Sequence, residues 1–552
     1  MTFPRKAGLI LILVAVAAAW AHQRELSLPS LRWFYSFTAS PDQIEEAKFA
    51  VAKFEKASAG AGTFEVILSD LKQTLLVLRQ KFRENKGEIV GHTFCALMAV
   101  GGLALVIAGG KFQWNPITVR KFARFRSIGR GWTAFRILLL LLLLAMLDQV
   151  LVGKRALAVR YEGKWSFPAF QQRIFYDKDF GGTTEQEANY RELGKRFLAE
   201  KSANKVILPP IPWDPTFDSD EVLKRPLVAI EGKLHRPGDN EPFNGQAAQF
   251  RADQPAVQAF AARFRKGLRD GMTSVYDEKG DFIGRQTWKA GELVDSKVPG
   301  DPPAADDTRW VEQLFPPVPP SWKERHFLGT DSKGWDIAAQ LFGGLQVIFK
   351  ASALYLVLTY GIGIALGCVM GYFGGSFDLV MQRLIEILSN VPFLLVIMII
   401  TANIGRDKIV LANILMIYCL FSWIGVATYL RTSTYREKAR DYVAAARVQG
   451  AGTTRVIFRH ILPNAIATIV TLLPFSVAGL TSSLTALDFL GFGLPDTYPS
   501  WGRVLDDGTQ NLSSPWIVAS VFGVMVTVLL VITFIGEAIR EAFDPKKFTT
   551  YQ

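Results

Sequence analysis

Several apolar runs long enough to cross a lipid bilayer decide what this chain can fold into. Runs of about 18 residues or more with few charges are out of place in an ordinary soluble domain. They occur at about 89–110, 134–152, 347–373, 387–404, 409–429, 465–487 and 516–535. Inside a bilayer each run must satisfy its own backbone N–H and C=O groups, which a helix does. The expected fold class is therefore an all-α polytopic membrane protein. Composition agrees, since 49% of the 552 residues are apolar and only 20% are charged. The formal net charge of +12 invites a nucleic-acid reading. The Arg and Lys residues cluster beside the apolar runs, however, where membrane topology accounts for them, so no nucleic-acid partner is expected. Cys95, Cys368 and Cys419 all lie within apolar runs and read as free core thiols. No His/Cys metal pattern occurs, and no metal site is expected.

Residues 1–21 begin with Arg5-Lys6, continue through an apolar stretch from Ala7 to Ala18 and end on Ala19-Trp20-Ala21. This describes a signal peptide or an uncleaved signal anchor. Either one places residue 22 onward outside the cytoplasm. Residues 22–88 are soluble in character and predict a helical hairpin. Its second helix carries a seam of Phe64, Leu68, Leu71, Leu75, Leu78 and Phe82, which could pack on the first helix or on a partner helix. Residues 89–110 form an extra span. Residues 111–133 form a basic linker with Arg120, Lys121, Arg124, Arg126 and Arg130, and should be cytoplasmic. The span at 134–152 follows.

Residues 153–330 form a large polar region that the order of spans puts outside. Pro209-Pro210-Ile211-Pro212 and Pro316-Pro317-Val318-Pro319-Pro320 should be extended. Gln246 to Leu268 predicts a helix. Val275-Tyr276 and Phe282-Ile283, with a turn over Asp277 to Gly280, predict a hairpin. A small α/β lobe is expected. Residues 331–552 then hold the remaining spans.

Between two of those spans lies the most informative stretch, the loop 431–463. Asp441, Tyr442, Val443, Ala444, Ala445, Ala446 and Arg447 favour a short helix. Gly450 and Gly452 end it. Arg455 to Ile461 can resume a helix, and Pro463 restricts Leu462 and marks a boundary before the next span. Two alanines, three residues, a glycine and a later Leu-Pro are filled here by Ala445, Ala446, Gly450, Leu462 and Pro463. This pattern resembles the signature loop of importer-type ABC permeases, and Asp441-Tyr442-Val443, Arg447 and Arg459-His460-Ile461 resemble the peptide-importer branch. The stretches Arg160 to Pro168, Phe180 to Gly182, Leu487 to Pro495 and Gly536 to Pro545 resemble permeases of Yej-type importers, which carry oligopeptides and microcin C. Leu328-Gly329-Thr330-Asp331 and Gly334-Trp335-Asp336 are similar to an element before the second core span, with Trp335 and Gln346 standing where arginines are usual. The resemblance starts near Arg120. Residues 1–115 and about 228–300 fall outside it.

The resemblance implies a type I permease core of six helices, here 134–152, 347–373, 387–404, 409–429, 465–487 and 516–535, in the bacterial inner membrane with the large loop periplasmic. It implies that the short helix couples to an ATPase subunit through Asp441, Tyr442, Ala445, Ala446, Arg447, Gly450, Leu462 and Pro463. It also implies a second permease subunit and a periplasmic substrate-binding protein, with membrane lipid around the spans. The sequence has no Gly-x-x-x-x-Gly-Lys-[Ser/Thr], so this chain is no enzyme by that chemistry. It is expected to bind no cofactor itself, ATP and Mg belonging to the partner ATPase.

Polar groups inside spans are costly in lipid and are candidates for a translocation pathway. They are Asn390, Asn403, Thr481, Ser482, Ser483, Thr485 and Asp488. Ser and Thr also bond their own helix backbone, which is the alternative for each. Nickel chelates or glycosides are alternative cargoes. A proton-coupled transporter would need acidic groups at mid-span, and none is evident. A scaffold protein would leave the loop 431–463 unexplained.

Overall fold

The long apolar runs form helices in the computed structural model, which describes residues 3–29, 31, 91–107, 116–182, 187–201, 203–218, 223–237, 239–251, 258–277, 282–298, 310–314, 317–404 and 410–543. The seam from Phe64 to Phe82 and most of the expected 22–88 hairpin lie outside these residues, as do Lys546 and Lys547. The chain divides into two compact units. One comprises Met1–Asp218, Ser321–Leu328 and Asp336–Gln552, and the other Ser219–Pro320 and Gly329–Trp335.

The first unit contains the membrane-type helices. Helix α1 is Phe3–Gln23 and α2 is Gly91–Ile107. They cross closely enough at Gly8 and Gly102 that a β-carbon on either would collide with the other's backbone. Helix α3, Pro116–Ser127, is basic, and α4, Gly129–Met146, is apolar. The α/β element follows. Strands β1 (Ala158–Tyr161), β2 (Lys164–Ser166) and β3 (Lys205–Ile207) pair antiparallel in the order β2-β1-β3, and helix α5 (Tyr190–Ala199) contributes Tyr190, Leu193 and Phe197 to their shared core.

Helix α6, Ile337–Phe373, has 37 residues. At 1.5 Å per residue it is roughly 55 Å long, against about 30 Å of hydrocarbon. It starts ten residues before the expected boundary at 347 because Asp336 caps it, accepting the Ala339 N–H at 2.7 Å. Helices α7 (Gly375–Asn390) and α8 (Phe393–Ile404) meet at 74°. The expected single span at 387–404 is thus broken. Pro392 has no N–H to give and pushes Val391 out of the helical region, to φ −76° and ψ 124°. Helix α9, Leu411–Lys438, is 28 residues long and runs past the expected end at 429. Further helices follow: α10 (Asp441–Val448), α11 (Leu462–Ile469), α12 (Leu473–Phe489) and α13 (Trp501–Gln510). A turn at 470–472 interrupts the expected continuous span at 465–487, just before Pro474, which has no N–H to give to the Val470 carbonyl. The last helix, α14, is Pro515–Phe543. Five helices among the described residues are long and apolar enough to cross a membrane, or six with the bent pair taken as one.

The most extensive helix contact is α6 with α9. Gly363, Gly367 and Gly371 repeat every fourth residue on α6 and face α9. A β-carbon at Gly367 would lie 2.5 Å from the Ala427 carbonyl oxygen and 2.8 Å from Leu430 Cβ. Small residues let two helix backbones approach closely when lipid offers no hydrophobic drive for association.

Among the described residues, the regular elements of the second unit are strands. They are β4 (Leu223–Pro226), β5 (Val228–Ile230), β6 (Lys233–His235), β7 (Gly245–Phe250), β8 (Gln258–Arg265), β9 (Leu268–Tyr276), β10 (Phe282–Lys289), β11 (Glu292–Lys297) and β12 (Trp310–Leu314). Seven form an antiparallel sheet in the order β11-β10-β9-β8-β7-β12-β4, and β5-β6 is a separate hairpin. The expected α/β lobe is therefore two things, the α/β element of the first unit and this β-only unit. The expected helix at Gln246 to Leu268 is β7 and β8. Phe260, Ala262 and Phe264 alternate into the core beside Trp310, and the two-residue turn Lys266-Gly267 has φ of 52° and 78°, the hairpin geometry that glycine favours. Glu162-Gly163, Glu231-Gly232 and Ala290-Gly291 make the same turn. Cross-strand packing overrides the helix propensity of alanine here. The hairpin expected around 275–283 is β9 and β10, with Phe282 opposite Tyr276.

Replacing Gly367 by Leu forces α6 and α9 apart. The expected cost is about 1–3 kcal/mol, read as a lower thermal unfolding midpoint in detergent. Gly361→Leu, where a new β-carbon meets nothing within 4 Å, leaves the midpoint unchanged or raises it.

Candidate functional site

The loop 431–463 is a folded element built from three short segments and the end of α9. Helix α10 begins after Arg440, with Asp441 in its first turn, where a carboxylate suits the helix dipole. It ends in a Schellman motif. Gly450 has φ +80°, its N–H donates to the Arg447 carbonyl at 2.9 Å, and the Ala451 N–H donates to the Ala446 carbonyl at 3.0 Å. A glycine occupies this left-handed position without the steric cost other residues meet. The chain then re-enters a helix. Thr453–Arg455 is one α-turn, Val456–Ile461 is π-helical, and α11 continues from Leu462.

The expected boundary at Leu462-Pro463 is absent. Leu462 is helical, at φ −57° and ψ −42°. The π-segment widens the ladder just before the proline, so a residue without an N–H sits in a stretch whose bonding is already shifted. The Asn464 side chain donates to the His460 carbonyl at 3.0 Å and helps satisfy that stretch.

One face of α10 is anchored. Val443 is fully buried against Val456 and Ile461, with Tyr372 and Ala451 packed beside them. Ala446 is buried too. The Tyr442 hydroxyl donates to Glu437 Oε2 at 2.8 Å and accepts from Asn464 Nδ2 at 3.1 Å, joining the end of α9 to the start of α11. Partial burial, and then the Glu437 carboxylate beside it, push this phenol above its ordinary value. The Tyr372 ring lies between two cations, with Arg447 Cζ 5.1 Å and Lys438 Nζ 5.5 Å from its centroid. Lys438 also donates to the Tyr372 carbonyl at 2.5 Å.

The other face is open. Ala444, Ala445, Arg447 and Gln449 are exposed, and Val448 is 89% exposed. Pro463 is exposed, Leu462 half-buried. The site is thus a short helix with an open alanine-and-valine face on a packed base, and Arg436, Arg440, Arg455 and Arg459, nearby in sequence, are exposed. The open face gives this element the form of a knob.

One feature beneath the knob escapes a reading of the loop alone. Asp378, near the start of α7, is 4% exposed and accepts two bonds from Arg431, at 2.5 and 2.6 Å, and one from the Tyr435 hydroxyl at 2.9 Å. This cluster ties the α6–α7 turn at Gly374-Gly375 to the end of α9. The glycine spacing at 363, 367 and 371 marks a face of α6 suited to close approach but names neither its partner helix nor the Asp378–Arg431 pair.

The polar residues singled out within the spans are dispersed. Asn390 and Asn403 donate to the carbonyls of Glu386 and Ile399, one turn back on their own helices, and both are exposed. Thr481 and Thr485 bond the Val477 and Thr481 carbonyls in the same way. Ser482 is exposed, while Ser483 accepts from the Tyr418 hydroxyl at 3.3 Å. Asp488 is buried and organises the loop after α12, accepting from Ser500 Oγ at 2.5 Å and the Leu494 N–H at 2.7 Å. Around Ser483 the structure gathers hydroxyls the sequence reading did not select. Tyr355 and Tyr418 pack edge to face at 5.4 Å, and Phe393 closes on Tyr418 at 4.9 Å.

Removing Asp378 leaves the partly buried Arg431 guanidinium without its partner, which costs about 1–3 kcal/mol. Asp378→Leu is expected to lower thermal stability in detergent sharply. The double variant Asp378→Leu/Arg431→Met recovers most of the loss, and equal damage from both would contradict the pairing.

The family described as binding-protein-dependent transport system inner membrane component matches residues 363–549, which contain the loop 431–463 and Asp378. The chain is 39% identical over 439 residues to the peptidoglycan transport system permease protein YejE of Agrobacterium fabrum, covering 79% of this chain and 95% of that protein. It is 28% identical over 433 residues to the inner membrane ABC transporter permease protein YejE of Escherichia coli, covering 78% and 98%. It is 32% identical over 247 residues to the oligopeptide transport system permease protein OppC of Escherichia coli, covering 44% and 79%.

Proposed function

This chain belongs to the family of binding-protein-dependent transport system inner membrane components, and on that premise we propose that it is the permease subunit of an ATP-driven importer of peptides and peptide-like compounds. The observation that carries the reading is the exposed face of α10 on a rigid base. A subunit that spends no ATP itself needs such a knob to receive a stroke from one that does. The ATPase partner, holding ATP and Mg, takes the face formed by Ala445 and Val448. Tyr442, Arg447 and Gly450 set its orientation, and Leu462 and Pro463 lead the motion into α11. A second permease subunit completes the pathway, and a periplasmic binding protein delivers the cargo. Closure of the ATPase on α10 then biases the spans between inward-open and outward-open arrangements.

The cargo class follows from relatives named for oligopeptide and peptidoglycan transport and from the chemistry of the spans. The polar groups available are hydroxyls and amides, Ser482, Ser483, Asn390 and Asn403 among them, with Tyr355 and Tyr418. They form no ring of charge that would select an ion. A weakly polar path tolerates peptides of varied side chain, including cell-wall peptides, and leaves selection to the binding protein.

Gly450→Asp is expected to insert normally and to abolish the stimulation of ATP hydrolysis by substrate-loaded binding protein in the reconstituted complex. Gly450→Asn, which tolerates the left-handed backbone at lower cost, keeps most of it. In a strain without other peptide importers, loss of this chain should stop growth on a peptide supplying a required amino acid. Unchanged uptake of several peptides would overturn the cargo and leave the permease reading standing.

A further inference from the structure

Helix α1 ends in a closed motif. Glu25 takes the left-handed conformation, at φ 54°. The Leu26 N–H donates to the Ala21 carbonyl at 2.8 Å, and the Glu25 N–H to the His22 carbonyl at 3.1 Å. These are the two bonds of a Schellman motif. The Ala21 carbonyl belongs to the peptide bond that the Ala19-Trp20-Ala21 site would offer to signal peptidase. That bond lies inside α1, which runs on to Gln23, and Ala18 and Ala21 are buried, at 1% and 2% exposure.

The residues after the motif are seated on the α/β element. Leu26 forms an antiparallel bridge with Gln171, which follows β2. The Ser27 N–H donates to the Phe170 carbonyl, and the Gln172 N–H to the Glu25 carbonyl, both at 2.9 Å. Gln149, beyond the end of α4, donates from Nε2 to Ser27 Oγ at 2.7 Å, and Ser27 is buried. On its membrane side α1 packs Ala15 and Ala18 against Cys95 of α2, and Arg5 donates from Nε to the Val106 carbonyl at 3.2 Å. The apolar stretch Pro4–Gln23 has 20 residues. As a helix it is about 30 Å long, which matches the hydrocarbon thickness.

We infer that α1 is a retained anchor: signal peptidase does not cut after Ala21, and residues 25–27 fasten the α/β element to the outer end of this helix. Proteolysis favours exposed, open backbone. The bond after Ala21 becomes available only when the helix end unwinds, which breaks both bonds of the Schellman motif and pulls Leu26 from Gln171. The motif is local, and helices form within about a microsecond, so it closes ahead of the α/β element. Retention keeps Arg5 and Lys6 on the cytoplasmic side, in accord with the positive-inside rule. It also keeps a partner for α2 at the crossing of Gly8 and Gly102.

The test uses the full-length protein in membranes of the cells that make it. Trypsin is expected to release the peptide 7–24 in the same molar amount as the peptide 165–173 of the α/β element. In a parallel sample the free amines are methylated before digestion, and no methylated amino terminus is expected at His22. Blocking signal peptidase in the cells with a lipopeptide inhibitor changes neither result. A methylated His22, or a yield of the peptide 7–24 that rises when the peptidase is blocked, overturns the inference. The seat of residues 25–27 is tested with Leu26→Cys/Gln171→Cys. The bonds of Ser27 and Gln172 flank this pair, which makes it a non-hydrogen-bonded pair with α-carbons about 4.5 Å apart, within disulfide reach. A disulfide joining the peptides 25–32 and 165–173 is expected without added oxidant, and its absence overturns the fastening.

Discussion

The close approach of α6 and α9 is the contact on which the rest of the membrane unit depends. With a side chain at Gly363, Gly367 or Gly371 the two backbones could not meet. At Gly371 a β-carbon would fall 2.6 Å from the Arg431 carbonyl oxygen and from Thr434 Cβ. This spacing carries Tyr372 to Lys438 and Arg447, and sets the end of α9 beside Asp378. Helix α10 then has a fixed base. Without the glycines the knob would sit on a loose hinge, and a push on it would be lost in local motion.

The base also explains how a push could travel. Arg431 and Tyr435 on α9 hold Asp378 on α7, and α7 meets α8 at the Pro392 break. The end of α9 thus holds the bent pair through a charged, partly buried contact. On the other side, Val456 and Ile461 pass a push through the π-segment into α11. Such segments and proline breaks are where helices change direction at low cost. The membrane unit thus combines one stiff seam with two jointed helices, an arrangement suited to alternating access.

Much of this was legible in the sequence. Apolar runs placed the helices, and the alanines before Gly450 placed the short helix α10 and the glycine turn that ends it. Two kinds of signal were lost. Prolines inside apolar runs, Pro392 and Pro474, break helices that hydropathy reads as continuous, because hydropathy does not register a missing N–H. In the second unit, alanine-rich strands such as Gln258–Arg265 look helical residue by residue, and only their partners across the sheet make them strands. The turn Lys266-Gly267 would have corrected that reading. The cluster at Asp378 joins residues 53 apart, so no local pattern could have shown it.

The central claim is that the open face of α10 receives an ATPase subunit. The most direct measurement replaces Val448 with a benzophenone-bearing amino acid in the full-length chain, in membranes that hold the whole transporter, and identifies what is captured on illumination. The account predicts a single cross-linked protein that carries a phosphate-cradling ATPase motif, with capture that changes when nucleotide is bound. Capture of lipid alone, or of a protein without that motif, would contradict it.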